Sequence, residues 1–133
     1  MLPVEDIEAN LTICDLIRSK QVTAASAVRS IKRRLGNKNP NVQLLTLKLL
    51  EMCVKNCGHH LHVEVAQKDF IDTILSLVQV QMASNPDVRV KALELIQAWA
   101  VAFREVPDLR FVCDTYNLLK AQGNANYLSG RRV

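Results

Sequence analysis

Apolar positions recur along this chain with the period of an α-helix, in runs broken by regular punctuation. Asn39-Pro40, Asn85-Pro86 and Pro107-Asp108 each stand just before such a run. There an Asn or Asp side chain caps the first free N–H groups, and proline fits the first turn. Gly58 and Gly123 stand just after runs, where a left-handed residue is wanted. The spacing predicts helices over Glu5–Ser19, Thr23–Leu35, Pro40–Cys57, His59 to about Ala66, Asp69–Met82, Pro86–Phe103 and Asp108–Gln122. The second places Ala24, Ala27, Val28, Ile31 and Leu35 on one stripe, with Thr23 as its cap. In the third, Leu44, Leu45, Leu47, Leu49, Leu50, Met52, Cys53 and Val54 cover most of the circumference, and only Lys48, Glu51 and Lys55 keep a polar stripe. That helix is expected to be buried on two sides. Phe70, Ile71, Ile74, Leu75 and Val78 are expected to face inward, as are Leu93, Ile96, Trp99, Ala100 and Phe103, and Val112, Tyr116 and Leu119.

About seven helices with short links make antiparallel neighbours. A central helix buried on both sides suits hairpins stacked into a compact superhelix better than a four-helix bundle. No motif repeats at a fixed period, which argues against a repeat array. Residues 124–133 lose the periodicity and are expected to be a flexible tail, leaving 1–123 as the domain.

Composition agrees. The chain has 133 residues, 49% apolar and 23% charged, which is one domain with enough apolar surface for a core. Four glycines, four prolines and 5% aromatics are sparse for β architectures. No stretch approaches the roughly 18 apolar residues of a membrane span. Glu5, Asp6 and Glu8 do not suit a signal peptide. Cys14, Cys53, Cys57 and Cys113 lie inside apolar runs and read as reduced thiols of an intracellular protein.

The net charge of +4 is uneven. Arg18, Lys20, Arg29, Lys32, Arg33, Arg34 and Lys38 fall in one segment without an acid, while the rest of the chain is slightly acidic. Such a segment meets anionic lipid, nucleic acid or an acidic partner, or is simply solvated.

Enzyme signatures are absent: no glycine-rich phosphate loop, no Gly-x-Ser-x-Gly, no His-Glu-x-x-His. Cys53, Cys57, His59, His60 and His62 lie within ten residues. Zinc takes thiolates and imidazoles, but the histidines follow too closely for a finger. The cysteines read as small core residues and the histidines as a surface turn, with no metal and no cofactor. The first helix has two apolar stripes. Ala9, Ile13, Leu16 and Ile17 are assigned to the core. Ile7 and Leu11, ringed by Glu5, Glu8, Asn10 and Asp15, resemble a small protein-binding patch.

Several segments resemble a VHS domain. They are Ile13-Cys14-Asp15-Leu16-Ile17-Arg18, Ala27 through Leu35, Asn39-Pro40-Asn41-Val42-Gln43, Cys53-Val54-Lys55-Asn56-Cys57-Gly58, His62 through Ala66, and Leu95-Ile96-Gln97-Ala98-Trp99-Ala100. Val112-x-Asp114-Thr115-Tyr116 and the Trp99 segment are most similar to the Hrs type. The resemblance implies an all-α, right-handed superhelix of about seven to eight helices. It also implies a non-enzymatic module, cytoplasmic and peripheral on the endosomal membrane, that binds ubiquitin on cargo entering the ESCRT pathway. The family's main contacts, a bulky apolar residue (often Trp) and a Leu one turn later, fall on Ile7 and Leu11. Glu8, Lys48, Glu51 and Lys55 are the candidate rim. The isolated domain is expected to be a monomer that binds no nucleic acid.

The family's first helix would precede Glu5, where only four residues stand. Without it an apolar bed would be open, and Ile7 and Leu11 would be candidates for that bed. After Gly123 the family's aromatic-proline ending is replaced by Asn124-Ala125-Asn126-Tyr127. Two other readings compete. One is a phosphoinositide or membrane-surface adaptor using Arg29, Lys32, Arg33 and Arg34, as in the similar ENTH and ANTH domains. The other is recognition of acidic-dileucine receptor tails in a groove between the last helices, as in GGA-type VHS domains. An RNA-polymerase-tail-binding domain shares the superhelix but not the Hrs-like motifs.

Overall fold

The computed structural model describes residues 3–79 and 85–123. Seven α-helices follow one another: α1 (Ile7–Arg18), α2 (Ala24–Leu35), α3 (Pro40–Asn56), α4 (His59–Val65), α5 (Lys68–Val78), α6 (Pro86–Ala102) and α7 (Arg110–Ala121). A 3-10 turn at Pro107–Leu109 leads into α7, so that helix begins two residues later than the spacing predicts. No strand occurs among the described residues.

The punctuation acts as its chemistry requires. Asp6, Thr23, Asn39 and Asn85 accept hydrogen bonds from the first free N–H groups of α1, α2, α3 and α6. Pro40 and Pro86 occupy first turns. Gly58, at φ +86°, lets α4 start immediately after α3. The turn after α1 closes differently. Lys20 sits at φ +66°, its N–H donating to the Ile17 carbonyl and that of Val22 to Leu16. The position is one that glycine usually fills.

α5 stops at Val78, with Gln79 extended, whereas the spacing carries it on to Met82; residues 80–84 lie outside the described part. The cause is tertiary. The buried Arg89 of α6 donates from Nε to the Val78 carbonyl at 2.6 Å. That carbonyl would otherwise be among the unsatisfied ones of a helix end. The expected tail at 124–133 also lies outside the described residues.

One continuous core runs through all seven helices. α3 packs against α1, α2 and α6; α2 also meets α4 and α5; and α6 carries α5 and α7. Leu47, Leu50 and Cys53 of α3 are fully buried, as expected of the central helix. Every residue of the α2 stripe is buried, and Trp99 is 3% exposed. α1 departs in two positions, Ala9, expected in the core, and Asn10, expected in the polar ring around Ile7 and Leu11. Its buried edge is Asn10, Cys14 and Ile17 with Ile13 half-buried, while Ala9 is exposed. Asn10 tolerates burial because its Nδ2 donates to Glu5 Oε2 at 3.1 Å.

Candidate functional site

α1 is held by one edge. Positions 10, 13, 14 and 17 recur at helical spacing and take the core side. Ile7 and Leu11, one turn apart, lie on an adjacent flank, 54% and 46% exposed. Glu8, Thr12 and Asp15 are exposed beside them. Arg18 is drawn into an ion pair with Asp15, and the Thr12 hydroxyl donates to the Glu8 carbonyl. The result is a small aliphatic surface with a polar margin.

Two adjoining apolar grooves run along the other flank of α1. The first is lined by Asn10, Ile13, Arg34, Val42, Leu45 and Leu49 among others. The second includes Ile13, Leu16, Val22, Ala27, Ile31 and Leu49. Neither includes Ile7 or Leu11. The open apolar bed and the exposed pair are therefore separate surfaces, which periodicity alone leaves undecided.

Lys48, Glu51 and Lys55 stay together on α3, but not beside the pair. Glu51 bonds Lys91 of α6 at 2.8 Å and Lys55 at 3.8 Å. Cys53 marks the flank of α3 that meets α1, its Sγ 3.9 Å from that of Cys14. At about 100° per residue, Glu51, Lys55 and Lys48 all point some 140–160° away from Cys53.

The cationic segment is not one patch. Lys32 bonds Asp69 of α5 at 3.1 Å, and this hydrogen bond holds the Asp69 carboxyl below its ordinary range. Arg29 lies in a hollow that also contains Glu64, Gln67 and Asp69. Arg34 is turned to the opposite flank, into the α1–α3 grooves. Arg33 remains outward, its guanidinium 3.3 Å from Ser30 Oγ.

Between α5 and α7 lies a shallow groove lined by Leu75, Gln79, Thr115, Leu118, Leu119 and Gln122. No cationic side chain is among these lining residues. Leu118 is well exposed, and Phe111 lies on the same face two turns earlier. The sequence reading missed this second exposed stripe. Its signal was present, two apolar residues seven apart beside the core stripe Val112–Tyr116–Leu119.

The structure splits the Cys–His cluster. His59 and His60 are exposed, His59 lying 3.6 Å from Asp108. His62 Nε2 lies 2.7 Å from the Val54 carbonyl and its ring stacks on Phe103. Cys53 and Cys57 turn instead to Cys14, which sequence distance had hidden. The three sulfurs lie within 4.8 Å of one another. Burial, then the neighbouring thiols, pushes the Cys53 thiol up strongly, and burial raises Cys57 to about 11. Protonated thiols of this kind are poor nucleophiles.

A family model described as "VHS domain" matches residues 1–123. Vacuolar protein sorting-associated protein 27 of Yarrowia lipolytica is 48% identical over 118 residues, 89% of this chain and 21% of that protein. TOM1-like protein 2 of Homo sapiens is 46% identical over 125 residues, 92% of this chain and 24% of that protein. The crystal structure of the VHS and FYVE tandem domains of Hrs, described as a protein involved in membrane trafficking and signal transduction, superposes with a TM-score of 0.83 at 38% identity. The match covers 92% of this chain and 56% of that one, and the shared fold is an all-helical superhelix. The chain spans about a fifth to a quarter of these two curated relatives. No described helix is long and apolar enough to cross a membrane.

Proposed function

The chain belongs to the VHS-domain family, and from that premise we propose that it is a non-enzymatic ubiquitin-binding module in endosomal sorting of cargo toward the lysosome or vacuole. The relatives' names speak of vacuolar protein sorting and membrane trafficking. The observation that carries the molecular part is the exposure of Ile7 and Leu11. Two aliphatic side chains one turn apart stand out of a helix whose other edge is locked in the core. They occupy the two positions to which the family resemblance assigns the main ubiquitin contacts. Glu8 is the adjoining rim residue, and Lys48, Glu51 and Lys55 of α3 are the further rim candidates.

A patch of two aliphatic side chains makes an interface below about 1,200 Å² of buried area, in the weak and transient class. The expected dissociation constant is about 0.1–1 mM, or roughly −4 to −5.5 kcal/mol. Several such sites acting on one cargo gain from effective concentration. The test is an NMR titration of the labelled chain with ubiquitin. Amides of α1 around Ile7 and Leu11 should shift progressively. Shifts confined to other helices place the site elsewhere.

A second reading rests on Arg29 and Arg33, which project from α2 and have no ion-pair partner within 4 Å among the described residues. An endosomal membrane surface rich in phosphoinositide is the fitting ligand. Co-sedimentation with vesicles, with and without phosphoinositide, separates this reading from the first. Loss of sedimentation in an Arg29→Glu, Arg33→Glu double variant that still binds ubiquitin would establish two independent surfaces.

A further inference from the structure

Cys14, Cys53 and Cys57 form the sole group of three or more metal-ligating side chains brought together among the described residues. We propose that they form a buried three-thiol site for trivalent arsenic. The proposal is independent of the ubiquitin reading.

The geometry is close to a ligand set already. Cys14 Sγ and Cys53 Sγ are 3.9 Å apart, and Cys57 Sγ lies 3.8 Å from the Cys14 carbonyl oxygen. All three sulfurs lie within 4.8 Å of one another. Trivalent arsenic keeps a lone pair and binds three sulfurs as a pyramid, so bonds of about 2.3 Å, close to the zinc–thiolate length, at angles near 95–100° place the sulfurs roughly 3.4–3.5 Å apart. The cluster needs to contract by about 1.4 Å at most. Three soft sulfurs select soft ions over hard ones.

Charge chooses among the soft ions. All three cysteines are nearly inaccessible and belong to the hydrophobic core. A zinc ion with three thiolates leaves a net negative charge there, and a cuprous ion leaves more; uncompensated charge is what such a site penalises most. Zinc also wants a fourth ligand. His62, the one half-buried imidazole nearby in sequence, is committed to the Val54 carbonyl. Arsenous acid escapes both objections. It condenses with three neutral thiols to a neutral trithiolate. Three As–S bonds form and three As–O bonds break. Each thiol proton leaves with a hydroxide as water, and arsenic stays trivalent.

Access comes from local opening. α1 rests chiefly on α3, so lifting this first helix exposes Cys14 without unfolding the rest. Once bound, the ion staples α1 to α3 across 39 residues of sequence.

The experiment incubates the reduced 133-residue chain with sodium arsenite and removes the excess. Native mass spectrometry should find one arsenic per chain. Arsenic X-ray absorption should find three sulfur neighbours and no oxygen. The thermal midpoint should rise, because the ion binds the folded chain. Cys113→Ser should change none of these. Cys14→Ala should lower affinity by more than about tenfold, since even outer-shell partners are worth about 10–100-fold. The absorption measurement needs no variant, so it decides even if Cys14→Ala folds poorly. No retained arsenic, an oxygen-containing shell, or a lowered midpoint overturns the proposal, the last because it means that the thiols of the unfolded chain bind better.

Discussion

α1 and α3 lie side by side and are rich in the same aliphatic residues, yet they use them oppositely. α3 is enclosed by α1, α2 and α6; its Leu47 and Leu50 have no exposed surface. α1 is enclosed on one edge, and its Ile7 and Leu11 stay about half exposed. A leucine in α3 therefore contributes to stability, whereas a leucine on the outer flank of α1 is left for a partner. Residue type is the same in both helices; the number of neighbouring helices decides the role.

The largest effects should come from the enclosed side. Trp99→Ala removes the largest buried side chain and should cost about 3–5 kcal/mol, and Leu50→Ala about 2–5 kcal/mol. Chemical denaturation checks both, and a cost below about 1 kcal/mol for either would mean that its site collapses or is open to solvent. Leu11→Asp should give the reverse pattern. It should cost less than about 1 kcal/mol of stability while abolishing ubiquitin binding in the titration, because a charge would sit in the centre of the desolvated patch. An unfolded variant would place Leu11 in the core, and one that binds ubiquitin unchanged would move the site. Ile7→Trp should tighten binding by restoring aromatic contact area.

The seam between the two helices has its own signature. The Cys57 thiol is raised from 9.0 to about 11, and Cys53 is raised as well. A raised folded-state value means that the native core holds protons which the unfolded chain releases first. The stabilisation is full below about pH 9 and is lost as pH rises through about 11. Denaturant midpoints measured from pH 7 to 11 should fall above pH 9, and less steeply in Cys57→Ala. The smallest effect lies at the end of α1. Lys20→Gly relieves a left-handed backbone and should stabilise the protein by about 0.5–1 kcal/mol. A loss of stability there would mean that the Lys20 side chain contributes more than its backbone costs.

The sequence by itself determined the helices and most of the core. Its capping residues, prolines and 3.6-residue period act within a few positions of one another, so the bounds of α2, α3, α4 and α6 agree to within a residue or so. The same period separated Ile7 and Leu11 from the buried edge of α1. What it could not determine were contacts between residues far apart in the chain. It chose Ala9 for the core, because hydrophobicity cannot see that Glu5 satisfies a buried Asn10. It carried α5 past Val78, because the stop comes from Arg89, eleven residues on. It grouped seven cations, of which Asp69 and the geometry of α2 disperse the four on that helix, and a polar stripe on α3 whose Glu51 belongs to Lys91 of α6. It read Cys53 and Cys57 as core residues, and so they are, but it could not see that Cys14, 39 residues earlier, is their neighbour. Local propensity is written in short windows, whereas the direction each helix face takes in space is fixed only when the helices pack.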